Sequence, residues 1–157
     1  MAEIQSNMDN ENRTQINMNC LFCRIANSLE PGSQVLYEKD GIAIFKDIRP
    51  VATHHYLVVP QRHVDNPKAL GSEDVELVEQ LIASGQEFLG QQGGNVLEAR
   101  LGFHWPPFHT ISHLHLHVIC PMSDLGWVAS LIFRPDSFWF VSAAWLLQRL
   151  RNMKLVR

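Results

Sequence analysis

Apolar and polar positions alternate with a period of two in several short stretches after residue 34, and with a helical period in two longer ones. Gln34–Glu38 and Ile42–Phe45 read as paired strands, with Lys39-Asp40-Gly41 as turn material between them. His55–Pro60 reads as a central strand. Ser72-Glu73-Asp74 predicts a helix start, with a capping hydroxyl followed by carboxylates at the positive end of the helix dipole. Val75, Val78, Leu81, Ile82, Phe88 and Leu89 then recur at helical spacing until Gly90 and Gly93-Gly94 stop the run. Arg100–Phe103 is a further strand, followed by the loop Trp105–Ile111, which two prolines stiffen. Trp127–Phe133 is apolar and Phe138–Val141 is a short strand. Ser142 caps a last helix over Ala143–Asn152, with Trp145, Leu146 and Leu150 facing inward. Residues 1–18 are polar and predict a disordered tail, leaving 19–157 as one domain.

The sharpest alternation is His113-Leu114-His115-Leu116-His117-Val118-Ile119. A strand advances about 3.3 Å per residue, so histidines two apart stand roughly 6.6 Å from one another on one face. Leu114, Leu116 and Val118 point the other way, into a core. A lone histidine on a strand is usually structural, but three on one face all need partners or solvent. Two chemical readings follow. The histidines ligate a catalytic zinc, or one of them is a nucleophile whose neighbours manage protons and phosphate charge.

Charge changes this picture little. Charged residues make up 18% of the 157-residue chain against 46% hydrophobic, which leaves little charge to cover the surface and predicts a homo-oligomer. The net charge of −3 argues against a nucleic-acid partner. The first 19 residues lack the apolar core of a secretory signal, and Arg134-Pro135-Asp136 interrupts the apolar C-terminal stretches, so no membrane partner is expected. Three cysteines without a signal fit the cytosol or nucleus. Cys20-x-x-Cys23 reads as a redox pair, a free pair, or half of a structural zinc knuckle completed by His63 and His113.

The triad stretch, together with Cys20–Ala26, Phe45–Pro50 and His54–Pro60, resembles the histidine triad superfamily of nucleotide hydrolases and transferases across about residues 20–150. The resemblance implies an α+β fold, an antiparallel sheet of about five strands with helices packed on it and the triad on an interior strand. It implies that Asp47 accepts ribose hydroxyls while Ile48 lies against the base, that Thr110 contacts phosphate, and that His55 stands beside the triad; His54 has no counterpart. Related enzymes carry Asn where Gly102 stands, a lost polar contact that Ser112 replaces only in part. Some members hold zinc through a leading Cys-x-x-Cys and two later histidines.

The activity implied is hydrolysis of a purine nucleotide conjugate, an adenosine 5′-phosphoramidate, with no cofactor needed for catalysis. His115 attacks phosphorus, His117 serves a phosphoryl oxygen or the departing nitrogen, and His113 and His55 set the tautomer of His115. Three other classes stay open: a metallohydrolase with zinc on the triad, removal of AMP from nucleic-acid 5′ ends as in the aprataxin branch, and a non-catalytic nucleotide sensor or adaptor.

Overall fold

A computed structural model describes residues 15–156. The sheet contains β1 (Tyr37–Lys39), β2 (Ile42–Lys46), β3 (His54–Pro60), β4 (Arg100–His104), β5 (Leu116–Cys120) and β6 (Phe140–Ser142). All pairings are antiparallel, in the order β1-β2-β3-β5-β4-β6. The helices are α1 (Leu21–Ala26), α2 (Val75–Gln91), α3 (Trp127–Ile132) and α4 (Ala143–Leu155). This is the expected α+β fold with a sixth strand, because the apolar stretch near residue 140 pairs with β4. Among the described residues no helix is long and apolar enough to cross a membrane.

The β1–β2 hairpin turns on Asp40 and Gly41, both at positive φ (53° and 78°), the handedness that lets a two-residue turn follow the strand twist. On one face of the sheet, Ile42, Ile44, Tyr56, Val58, Leu114, Leu116 and Val118 pack beneath Val78, Leu81, Phe88 and Leu89 of α2 and Leu146 and Leu150 of α4. Gly85 lets α2 settle there: a Cβ at this position would lie 2.9 Å from Val118 Cγ2 and 3.1 Å from Val58 Cγ2. The other face is covered in two patches. Phe22 and Ala26 of α1 sit on Ala43, Phe45, Leu57 and Val59 at one end, while Phe133 and Phe140 sit on Ile119 at the other. The space between the patches is where the histidines lie.

Several expectations need correction. Regular pairing in the triad stretch begins at Leu116, so His113 and His115 precede the strand. The alternation survives because Leu114 N–H donates to Val64 O (2.7 Å) and holds the approach extended. Ser72 does not cap through its hydroxyl; Ser72–Asp74 is a 3-10 turn whose Asp74 carboxylate accepts Gly71 N–H at 2.9 Å. α4 runs on to Leu155, and Trp145 is 39% exposed, edge-on to Trp105 and beneath the Arg149 guanidinium. Leu146 and Leu150 fill the core instead, leaving Trp145 on the flank of the helix. The expected tail lies outside the described residues as far as residue 14. Beyond it, Gln15 O accepts His63 N–H (3.0 Å) and Asn17 O accepts Cys20 N–H (2.9 Å).

Gly102 on β4 pairs with His117 and Ser142 and carries the ring of Phe140 over its backbone. A Cβ there would stand 2.5 Å from Phe140 Cε1 and 2.5 Å from Val141 O. No side chain fits, and the glycine is explained by packing rather than by a missing polar contact. Gly102→Ala is therefore expected to cost about 1–3 kcal/mol through overpacking. Urea unfolding measures it, and an unchanged midpoint would refute this account of the glycine.

Candidate active site

The gap on the second face is a cavity of about 810 Å³, within the range of ligand pockets. Phe22, Phe45 and Leu57 form part of its apolar wall. Asp47, Ile48 and Arg49 line it from the loop after β2, Thr110 and Phe108 from the loop before the triad, and Phe133 from the end of α3. His115, His117 and His104 face into it. Ile48 is almost fully exposed at the mouth.

Hydrogen-bond partners determine what each imidazole can do. His115 Nδ1 lies 2.6 Å from His113 O; a carbonyl only accepts, so Nδ1 carries the hydrogen and Nε2 keeps a free lone pair. His55 is held differently. Val51 N–H donates to its Nδ1 (3.2 Å), so Nε2 carries the hydrogen and donates to His117 Nδ1 at 3.0 Å. His117 then bears its hydrogen on Nε2, which is buried and has no partner within the protein. A bare nucleophilic nitrogen and an unsatisfied N–H thus stand on neighbouring rings, 5.1 Å apart between centroids.

Burial opposes a positive charge on all of these rings. It pushes His115 down to about 4 and His117 well below the usual histidine range. His55 and His104 are lowered for the same reason, opposed for His55 by the charge of Asp47 and for His104 by a bond to Trp139 O and then by Asp47.

His113 faces away from this cavity. Its Nε2 donates to Pro60 O (2.8 Å), and its Nδ1 lies 3.4 Å from both Cys20 Sγ and Cys23 Sγ. His63 Nδ1 is also 3.4 Å from Cys23 Sγ, with its Nε2 bonded to Asp65 Oδ1 at 2.9 Å. Both rings therefore offer a bare Nδ1 toward two sulfurs, and the four ligand atoms lie within 4.8 Å of one another. Tetrahedral zinc with ordinary bond lengths spaces S and N about 3.5 Å apart. The cluster can hold a zinc, and its outer hydrogen bonds orient both histidines for one.

Asp47 Oδ2, His55 Nε2 and His117 Nδ1 form a second close group. Here the donation of Val51 N–H to His55 Nδ1 leaves a hydrogen on the nitrogen an ion would need, so shared hydrogens hold this group. Among the described residues the three triad histidines do not form one close ligand group, because His113 is turned to the cysteines.

The chain matches the family model described as scavenger mRNA decapping enzyme C-term binding over residues 19–132. It is 46% identical to the adenosine 5′-monophosphoramidase HINT3 of Xenopus tropicalis, across 90% of this chain and 93% of that protein. The HINT3 of Mus musculus is 44% identical across 85% of this chain and 82% of its own. The chain belongs to the histidine triad family. A solved histidine triad protein from Clostridium difficile superposes with a TM-score of 0.61 at 30% identity, over 66% of this chain and 90% of that one.

Within this histidine triad domain, Asp47, Ile48, Thr110, His115 and His117 meet around one cavity, whereas His55 stands behind His117 and does not line it. Two expected roles change. The tautomer of His115 is set by the backbone carbonyl of His113, not by the His113 or His55 ring, because the first ring is turned to the cysteines and the second to His117. Ser112 Oγ lies near His109 (3.4 Å) and is not part of the cavity wall. His104 was not foreseen: its ring stands 4.9 Å from His117 and lines the cavity. Only the register of β4 on β5, which sets Gly102 opposite His117 and carries His104 onto the same face two residues later, could have revealed it.

Buried neutral histidines make stability depend on pH with a definite sign. The unfolded chain binds protons near pH 6.5 that the folded rings refuse, so stability falls as pH is lowered below that value, for His115 until about 4. Urea midpoints are expected to drop between pH 7 and pH 5, and to drop less in His115→Asn. A flat profile across that interval would contradict the burial described.

Proposed function

We propose that this protein is an adenosine 5′-monophosphoramidase that cleaves the P–N bond of AMP–amine conjugates through a nucleotidyl-histidine. The observation that carries the reading is the bare Nε2 of His115 facing the cavity beside the unpartnered N–H of His117. The likeness to the two HINT3 relatives, both adenosine 5′-monophosphoramidases, supports it.

The apolar wall of Phe22, Phe45 and Leu57 takes the adenine, with Ile48 against the base and Asp47 accepting the ribose hydroxyls. This places the α-phosphate toward Thr110 and the histidines. His115 Nε2 attacks phosphorus as a neutral imidazole, which burial keeps unprotonated at neutral pH. The His113 carbonyl holds the His115 Nδ1–H while positive charge grows on the ring. The P–N bond breaks with its electron pair on nitrogen, and His117 Nε2–H faces that departing nitrogen or a phosphoryl oxygen. Water then attacks the phosphorus–histidine bond and AMP leaves. Cys20, Cys23, His63 and His113 would hold a structural zinc; four protein ligands close its coordination and supply stability rather than an open position.

His115→Ala is expected to lose at least roughly 10³-fold in turnover while still binding AMP. Rapid quenching of wild type should trap a covalent protein–AMP species; a folded His115→Ala that turns over normally ends the covalent mechanism. Asp47→Ala should weaken AMP by about 1.5–3 kcal/mol, one to two decades, and wild type should favour AMP over its deoxy counterpart. Equal affinities would count against ribose recognition. For the knuckle, elemental analysis should find zinc that Cys20→Ala loses with a lower Tm. Chelated protein that stays folded should keep its turnover; zinc lost from His115→Ala but kept by Cys20→Ala would reverse the assignment.

A further inference from the structure

The loop from Asp47 to Val51 does more than border the nucleotide cavity. It grips the His55 ring at both ends: Val51 N–H donates to Nδ1 (3.2 Å), and Asp47 Oδ2 stands 3.3 Å from Nε2. Asp47 is itself fixed, with its N–H on His55 O (3.0 Å) and its Oδ1 accepting Arg49 N–H (2.8 Å). That second bond turns Oδ2 toward the histidine pair, 3.9 Å from His117 Nδ1 as well. The side chain is 17% exposed, so solvent screens the contact only partly.

What else faces the pair matters for where a proton can rest. His104 approaches from β4 and His115 from the segment before β5, both imidazoles that disfavour a further positive charge. Phe133 and Phe140 supply apolar rings. Among the described residues, Asp47 is the one carboxylate against the pair.

We infer that Asp47 is the counter-charge of the His55–His117 pair, a positioning residue whose carboxylate lets the pair carry the proton that the departing amine takes. This rests on the phosphoramidase reading and deepens it. With the anionic phosphate bound, the pair holds one proton beyond neutrality, shared between His55 Nε2, His117 and Asp47. As the P–N bond breaks and its electron pair goes to nitrogen, His117 Nε2 gives up that proton and the amine leaves neutral. In the second half, water gives its hydroxyl to phosphorus and its other proton back to the pair, with no further reactant.

The two duties of Asp47 can be separated by removing the ribose hydroxyls. Wild type and the isosteric Asp47→Asn are compared on an adenosine 5′-phosphoramidate and on its 2′,3′-dideoxy analogue. A residue that only binds ribose has nothing to lose on the dideoxy substrate. A counter-charge is expected to cost roughly 10²-fold in kcat on both substrates. It should also move the alkaline fall of kcat to lower pH, because loss of the negative charge releases the pair's proton sooner. ¹⁵N-histidine NMR with AMP bound reads the same event without turnover: the midpoint of the His55–His117 pair should drop in Asp47→Asn and return in Asp47→Glu. Equal kcat for wild type and Asp47→Asn on the dideoxy substrate, or an unmoved midpoint, overturns the inference. A wild type that cleaves no phosphoramidate overturns the proposed function instead, and the NMR titration still decides the role of Asp47.

Discussion

A buried imidazole must find hydrogen-bond partners, and this sheet face buries four of them: His55, His113, His115 and His117. Each partner found decides which ring nitrogen keeps its hydrogen, and so which nitrogen is free for chemistry. Two of the deciding partners are backbone carbonyls and one is a backbone N–H, so the fold itself writes the tautomers. The single buried ring nitrogen of this set left without a partner is His117 Nε2, and it is buried beside the cavity the substrate would fill. The surrounding architecture follows from this constraint. α1 and the Phe133–Phe140 patch dry the two ends of the face, and the gap between them leaves His115 and His117 lining the cavity.

Much of this was legible in the sequence because it depends on local period. The alternation through Leu114, Leu116 and Val118 identified the core side, and the Asp40-Gly41 turn set the first hairpin. The resemblance to histidine triad proteins carried Asp47, Ile48, Thr110, His115 and His117 to one cavity. The division of labour among the histidines was not legible, since it rests on groups far away in the chain. His113 is turned from its neighbours by Cys20, Cys23 and the Pro60 carbonyl, and His55 by the Val51 amide. Gly102 looked like a lost contact because nothing in the chain announces that Phe140 lies across it. His104 entered through strand register alone. Trp145 misled for a simpler reason: helical spacing sorts faces only coarsely, and a residue at the flank reads like one in the core.

The two cysteine–histidine and carboxylate–histidine groups show how similar inventories diverge. Each places several ligand-type atoms within 4.8 Å. In the first, acceptors on the far side of both rings withdraw the hydrogens and leave lone pairs converging. In the second, a donor on the far side pushes a hydrogen inward. Residue type and proximity are alike in both cases; the outer hydrogen bonds separate a cluster that can hold a cation from a group joined by shared hydrogens.

The two halves of His113 answer to different pressures. Its carbonyl orients the neighbouring ring, and every amino acid has a carbonyl; its imidazole serves the cysteines, and only a few side chains could do so. The three positions of the His-x-His-x-His signature therefore carry unequal information. The middle one lines the cavity, the last stands between His55 and the cavity, and the first is held by a partnership with residues 90 or more positions upstream. Another side chain at 113 would forfeit the contacts to Cys20 and Cys23, yet its backbone would still present the carbonyl that orients His115. Positions 20, 23 and 113 thus form one unit, separable from the ring orientation that the same backbone provides.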